Sequence, residues 1–137
     1  MLPLAKLKEM NKFFQFNEFV ELGKVFKDCE AYLIALENFN KAIELSALLP
    51  INADRLKEAY DLRGKTYRFL GRYEESIGDF SQAIEIDPKD TYLYFFRGMS
   101  FESLGHKGAA LKDFKMSVQL DPEFELAVDR VNYLEKK

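Results

Sequence analysis

The sequence predicts an all-α fold of antiparallel helix pairs stacked into a short array. Two observations carry that expectation. First, Tyr60, Arg63, Gly64, Tyr67, Gly71, Asp79, Phe80, Asp87 and Pro88 recur in the same order, at one constant offset, as Tyr94, Arg97, Gly98, Phe101, Gly105, Asp113, Phe114, Asp121 and Pro122. A repeat at that length marks a stack of supersecondary units, because one unit cannot bury its apolar face alone. Second, apolar side chains recur at helical spacing, and no segment alternates as a strand does. The run Tyr92–Phe96 is β-prone, but its counterpart Glu58–Leu62 has helical character, and the repeat outweighs local propensity.

Residues 4–22 read as an amphipathic stretch through Leu4, Leu7, Met10, Phe13, Phe14, Phe16, Phe19, Val20 and Leu22. Phe13, Phe14 and Phe16 lie too close in sequence for one narrow face, so a turn is expected near Asn17, with Glu18 and Glu21 in the first turn of the next helix. Residues 24–49 read as a second helical stretch, with Asn38 and Asn40 offering a break and Pro50 ending it. Asp54 is the expected cap of a helix over 55–70, and Gly71 the turn that follows it, with positive φ. Further helices are expected over 73–86, over 91–104 behind Asp90, and over 108–120 after the turn at Gly105–Gly108. Asp121 and Pro122 would cap and open a last helix over 122–135.

Gly64 and Gly98 fall mid-helix, where glycine costs about 1 kcal/mol relative to alanine. A repeated cost implies a repeated use, here close approach of two helices. Ser76, Ala83 and Ala110 are small for the same reason, and Tyr60, Tyr67, Phe80, Tyr94, Phe101 and Phe114 would fill the space between paired helices.

Composition bounds the function classes. The 137 residues suffice for one domain, and 47% are hydrophobic, including 13 Phe and 7 Tyr. A net charge of −3 suggests neither a nucleic-acid groove nor an anionic membrane surface. The single Cys29 cannot form an internal disulfide and fits a cytoplasmic, reducing setting; on its apolar helical face it reads as core. No secretory signal is expected, since the opening residues lack a charged stretch and a long apolar one. His106, the one histidine, falls in a turn, where a solvated or capping role is expected. There is no second histidine or cysteine for a metal, no phosphate loop at the isolated glycines, and no base beside any serine. The expectation is a protein with no catalytic residues, no cofactor and no metal.

These landmarks resemble the tetratricopeptide repeat family, whose helix–turn–helix units run to about 34 residues. Residues 57–90 match it through Tyr60, Gly64, Tyr67, Gly71, Tyr73, Phe80, Ala83 and Pro88; residues 91–124 match through Tyr94, Gly98, Phe101, Gly105, Ala110, Phe114 and Pro122. Ser76 and Ser117 stand where the family prefers alanine, and Arg63 and Arg97 where it prefers leucine. The resemblance implies one domain over 1–137, a short right-handed superhelix with a degenerate helix pair over 4–50 and a capping helix at 122–135. Two registers are open for the first pair. One sets Phe39, Ala42 and Ile43 against Tyr73, Ser76 and Ile77; the other sets Phe13, Phe19, Phe26 and Cys29 against Tyr67, Tyr73, Phe80 and Ala83.

In that family the first helix of each pair lines a concave groove. The positions implied here include Leu62, Lys65, Arg68, Phe69, Tyr92, Phe95, Phe96 and Met99, with Arg130 and Tyr133 from the last helix. An aromatic patch with arginines at its rim suits a partner's apolar side chains. The opposing expectation is that Tyr92, Phe95 and Phe96 pack within the chain. A subclass of the family holds the terminal carboxylate of chaperone tails with Lys, Asn, Asn, Lys and Arg. The first register places Lys27, Ala31, Leu62, Tyr92 and Phe96 there, which argues against such a tail. The expected function is a protein–protein interaction module or adaptor that holds a partner peptide or helix. A self-associating structural subunit and a chaperone-like holder of an apolar segment are the alternatives, with no nucleic acid and no membrane insertion.

Overall fold

The computed structural model describes residues 1–136. Seven helices follow in order: α1 (Leu4–Asp28), α2 (Tyr32–Ser46), α3 (Ala53–Phe69), α4 (Tyr73–Ile86), α5 (Thr91–Ser103), α6 (Lys107–Leu120) and α7 (Glu125–Glu135). They pack as three pairs, α1 with α2, α3 with α4 and α5 with α6, each pair stacks on the next, and α7 closes the far end against α6. The architecture is the all-α stack of helix pairs with a terminal helix that the repeat predicts. Among the described residues, no helix is long and apolar enough to cross a membrane.

The three pairs share one turn. The amide of Arg72 donates to the Tyr67 carbonyl at 2.8 Å and that of Gly71 to Arg68 at 2.9 Å; His106 and Gly105 repeat this on Phe101 and Glu102, and Ala31 and Glu30 on Phe26 and Lys27. This closure satisfies orphan carbonyls at a helix end and needs a left-handed residue. That residue is Gly71 (φ 73°), Gly105 (φ 79°) and, in the first pair, Glu30 (φ 60°).

The pairs also share one close approach. A Cβ on Gly64 would lie 3.0 Å from the Phe80 ring, and on Gly98 2.9 Å from the Phe114 ring. Gly23 meets Phe39 in the same way, at 2.4 Å. Phe39, Phe80 and Phe114 are each fully buried. The mid-helix glycines are therefore seats for a phenylalanine from the partner helix.

These landmarks settle the register of the first pair. Gly23 to Gly64, Phe39 to Phe80 and Glu30 to Gly71 share a single offset, and it exceeds the offset from Gly64 to Gly98 by seven. Neither register expected from the sequence is the one adopted. The extra length falls partly in the longer connection between Ser46 and Ala53 and mostly at the start of α3, which runs Ala53–Phe69 against Thr91–Ser103 for α5.

Several local expectations are corrected. No turn interrupts α1 at Asn17, whose side chain instead accepts from Arg55 at 3.3 and 3.1 Å. The three neighbouring phenylalanines are reconciled by splaying: Phe16 is buried while Phe14 is 69% exposed. The break comes at residues 29–31 rather than at Asn38 or Asn40. Asn38 bonds within its helix to Ile34, and Asn40 accepts from Arg63. Cys29 is exposed at the end of α1, not core. Asn52 rather than Asp54 caps α3, accepting from the Asp54 and Arg55 amides. Asp90 caps α5 as expected. Asp121 accepts from the Glu123 amide in a side-chain turn, which delays α7 to Glu125, past Pro122.

Apolar packing forms three clusters along the stack, the second and third sharing Phe96. Phe16, Val20, Ala42 and Ala59 centre the first cluster, Phe80, Ala83 and Leu93 the second, and Phe95, Phe114 and Ala127 the third. Small hydroxyls join helices: Ser76 donates to Ser100 at 2.7 Å between the second and third pairs, and Ser117 meets Thr91 at 2.7 Å within the third pair. The preference for serine where alanine is usual thus has a partner in each case.

Candidate partner-binding groove

The expected groove would lie across α3, α5 and α7, the first helices of the second and third pairs and the closing helix. Capping by Asn52 and Asp90 fixes where α3 and α5 begin, and hence which side chains face inward.

Phe96 meets more neighbouring rings and cations than any other of the expected site residues. Its ring stacks on Phe80 at 6.0 Å and meets Phe95 edge-on at 5.5 Å, so it is half-buried and touches both the second and third clusters. The Lys65 ammonium lies 4.8 Å above it and the Arg68 guanidinium 5.8 Å. A cation over an aromatic face is favoured electrostatically by about 0.5–2 kcal/mol. Lys65 also binds Asp61 at 3.0 Å.

The ten expected site residues divide into three groups. Phe95 is 8% exposed, held among Phe96, Phe114 and Phe124, and supports the groove from below. Leu62, Lys65, Arg68, Phe96, Met99 and Arg130 are half-buried. Phe69, Tyr92 and Tyr133 stay open, at 58%, 54% and 64% exposure. Each exposed ring is backed by a neighbour: Phe69 by Tyr32 at 4.8 Å, Tyr92 by Phe124 at 5.1 Å, and Tyr133 by Arg130 at 4.6 Å. Arg130 is also bound by Glu102.

Three buried polar atoms in this region have no hydrogen-bond partner: Asp61 Oδ1, Arg68 Nε and Arg130 Nε. Burial pushes the Asp61 carboxyl up, against the pull of Lys65, and burial pushes the Arg68 guanidinium down. Arg68 has no carboxylate partner among the described residues. Each is closed off from solvent, and leaving it unsatisfied carries a cost.

The adopted register moves the positions of the carboxylate-holding subclass. They fall on Val20, Lys24, Leu62, Tyr92 and Phe96, of which Val20 is fully buried. Lys27, placed first by the other register, lies 5.6 Å over Phe69 instead.

Sequence reasoning missed a paired feature behind the groove. Arg63 grips Asp79 through two bonds of 2.8 and 2.7 Å, and Arg97 grips Asp113 through two of 2.8 Å. Each arginine also reaches the preceding pair, Arg63 to Asn40 at 3.2 Å and Arg97 to Ser81 at 3.1 Å. The signal was present as an arginine followed by an aspartate at the same separation in both repeats. Among the described residues, no group of three or more His, Cys, Asp or Glu side chains could hold a metal ion.

Comparison with known proteins places this geometry. A TPR repeat model matches residues 64–105, and a tetratricopeptide repeat model matches residues 91–124. The second TPR domain of human RPAP3, solved in complex with the HSP70 peptide SGPTIEEVD, is 25% identical, with a TM-score of 0.78 over 92% of this chain and 99% of that one. The Arabidopsis OM64 TPR domain is 22% identical, with a TM-score of 0.79 over 90% and 97%. A UDP-N-acetylglucosamine–peptide N-acetylglucosaminyltransferase of Giardia intestinalis is 33% identical over 79 residues, which are 58% of this chain and only 5% of that protein. With the repeat models matched over residues 64–124 and the same helix-pair geometry carried back to α1, the chain belongs to the tetratricopeptide repeat family.

Proposed function

We propose that the chain is a protein–protein interaction module whose α3–α5–α7 groove takes an acidic, partly apolar peptide or helix. The observation that carries this reading is Arg68. It is a half-buried cation with an unsatisfied Nε, set beside the Phe96 ring and one residue from the exposed Phe69. A carboxylate from a partner would pair with the accessible part of its guanidinium in a charge-assisted bond, while Phe69, Met99 and Tyr92 receive apolar side chains. The RPAP3 relative, solved with a short acidic peptide, supports the class of ligand.

The mode of recognition differs from a terminal-carboxylate grip. Leu62, Tyr92 and Phe96 stand where that grip needs polar or cationic groups. An internal segment that lays its own side chains along the groove fits better. The groove would then work as a preformed surface, with its rings already held by Phe80, Phe124 and Tyr32.

The test is binding of a fluorescent library of acidic and neutral peptides to the wild type and to Arg68→Met, with circular dichroism on both. Loss of at least tenfold in affinity for acidic peptides, with the fold intact, is the expected result. Equal binding by both proteins would remove Arg68 from the site. Phe69→Ser is the companion variant, since its exposed ring can be removed without opening the core.

A further inference from the structure

The outer face of α1 is apolar and has no neighbour in the chain. Leu4, Leu7, Phe14, Leu22 and Val25 are 67%, 46%, 69%, 39% and 58% exposed. At 3.6 residues per turn they fall within an arc of about 80°, roughly opposite the buried Phe16, Val20 and Gly23. The stripe runs through most of the 25 residues of α1.

The charges on that face select the occupant. The N-terminal half of the stripe is flanked by Lys6 and Lys8, and the C-terminal half is interrupted by Glu18 and Glu21. We propose that α1 pairs antiparallel with α1 of a second copy of the chain. In the reversed alignment, residues whose numbers sum to 29 face each other: Leu4 with Val25, Leu7 with Leu22, Lys8 with Glu21, and Asn11 with Glu18. The two-fold axis passes between Phe14 and Gln15, and the two Phe14 rings meet there. Leu4, Leu7, Leu22 and Val25 thus face apolar partners, each Phe14 lies opposite Gln15 and beside the other Phe14, and Lys8 faces the opposite charge of Glu21. In a parallel pair, Glu18 and Glu21 would face their own copies, and like charges in contact are unfavourable. The acidic half likewise disfavours an anionic lipid surface as the occupant. Glu21 keeps its intramolecular Arg55 and Lys24 at 3.5 Å while its carboxylate remains more than half exposed.

The geometry is tested by disulfide trapping in a Cys29→Ser background. Leu7→Cys and Leu22→Cys are made as separate single variants, mixed and oxidised. The antiparallel pair gives a mixed Leu7→Cys/Leu22→Cys dimer in large excess over either homodimer, because only that combination brings the two Cβ atoms within bridging distance. Predominance of the Leu7→Cys homodimer would mean a parallel pair and overturn the proposal. Sedimentation equilibrium of the unmodified chain supplies the second arm. A concentration-dependent dimer is expected, with the dissociation constant raised at least tenfold by Phe14→Glu and the circular dichroism unchanged. A monomer at every concentration, or binding of anionic vesicles without dimer, would also overturn it.

Discussion

Arg97 and Asp113 are joined across α5 and α6 by two parallel hydrogen bonds of 2.8 Å, with the carboxylate side chain only 6% exposed. The Asp113 hydrogen bond raises the Arg97 guanidinium above its ordinary range, so the charge is held firmly in place. Removing one partner leaves the other poorly solvated. Asp113→Asn is expected to cost roughly 3 kcal/mol in urea unfolding. The double change Arg97→Leu with Asp113→Leu should recover most of that loss, because apolar groups of similar volume replace buried ion pairs well. Equal stability of Asp113→Asn and wild type would show that the pair contributes nothing to the fold.

The glycines predict opposite signs at different sites. Gly78 lies mid-helix in α4 with open space where a Cβ would go, so Gly78→Ala should stabilise by about 0.5–1 kcal/mol. Gly23→Ala must displace the fully buried Phe39 ring and should destabilise by roughly 1–3 kcal/mol. Thermal melts of the two variants, moving in opposite directions from wild type, check both at once.

Ser76 and Ser100 share a hydrogen bond with both residues fully buried. Ser76→Ala keeps the volume but strips the Ser100 hydroxyl of its partner, for an expected loss of about 1–2 kcal/mol. Adding Ser100→Ala should return much of it. A double-mutant cycle by chemical denaturation measures the coupling, and strict additivity would refute it.

Asp61 sets a pH dependence. Burial raises its carboxyl, so the folded state holds the proton more tightly than the unfolded chain. By linkage, its contribution to stability is fully present below the ordinary aspartate value of 3.8 and is lost as pH rises through the folded value. Asp61→Asn removes the buried charge and should raise the melting temperature at pH 7 by about 2–4 °C. That gain should vanish near pH 4. A gain independent of pH would assign it to something other than the carboxylate.

The two regular repeats were legible because their landmarks are of the kind a sequence displays: glycine at a helix seat, the phenylalanine that fills it at a fixed distance along the chain, and aspartate with proline at the exit. The first pair hid behind three substitutions. Glu30 occupies the left-handed position that glycine fills elsewhere, and Leu22 and Asn38 stand where the later pairs have their arginine and aspartate. Its period was also longer, so Gly23, Phe26, Tyr32, Ala35, Phe39 and Ala42 correspond to Gly64, Tyr67, Tyr73, Ser76, Phe80 and Ala83 only at a different offset from the one the later pairs share. For the groove, the sequence identified which rings belong to the inner helices. It did not separate Phe95 from Tyr92, because Phe124 lies in the irregular link before α7 and touches both rings. How far each is covered depends on that packing, which helical periodicity does not encode.

The unequal spacing of the pairs gives the chain two kinds of joint. From α3 onward the seats, turns and arginine grips recur at one fixed interval, so residues 57–90 form an interchangeable cassette. Excising them would join Leu56 to Thr91 in helical phase and leave a shorter stack with the same types of contact. Duplicating them would lengthen the superhelix by one pair. The joint between α2 and α3, with its longer connection and no arginine grip within the first pair, offers no such exchange. Growth and shrinkage of this protein are therefore built into one end of it and withheld from the other.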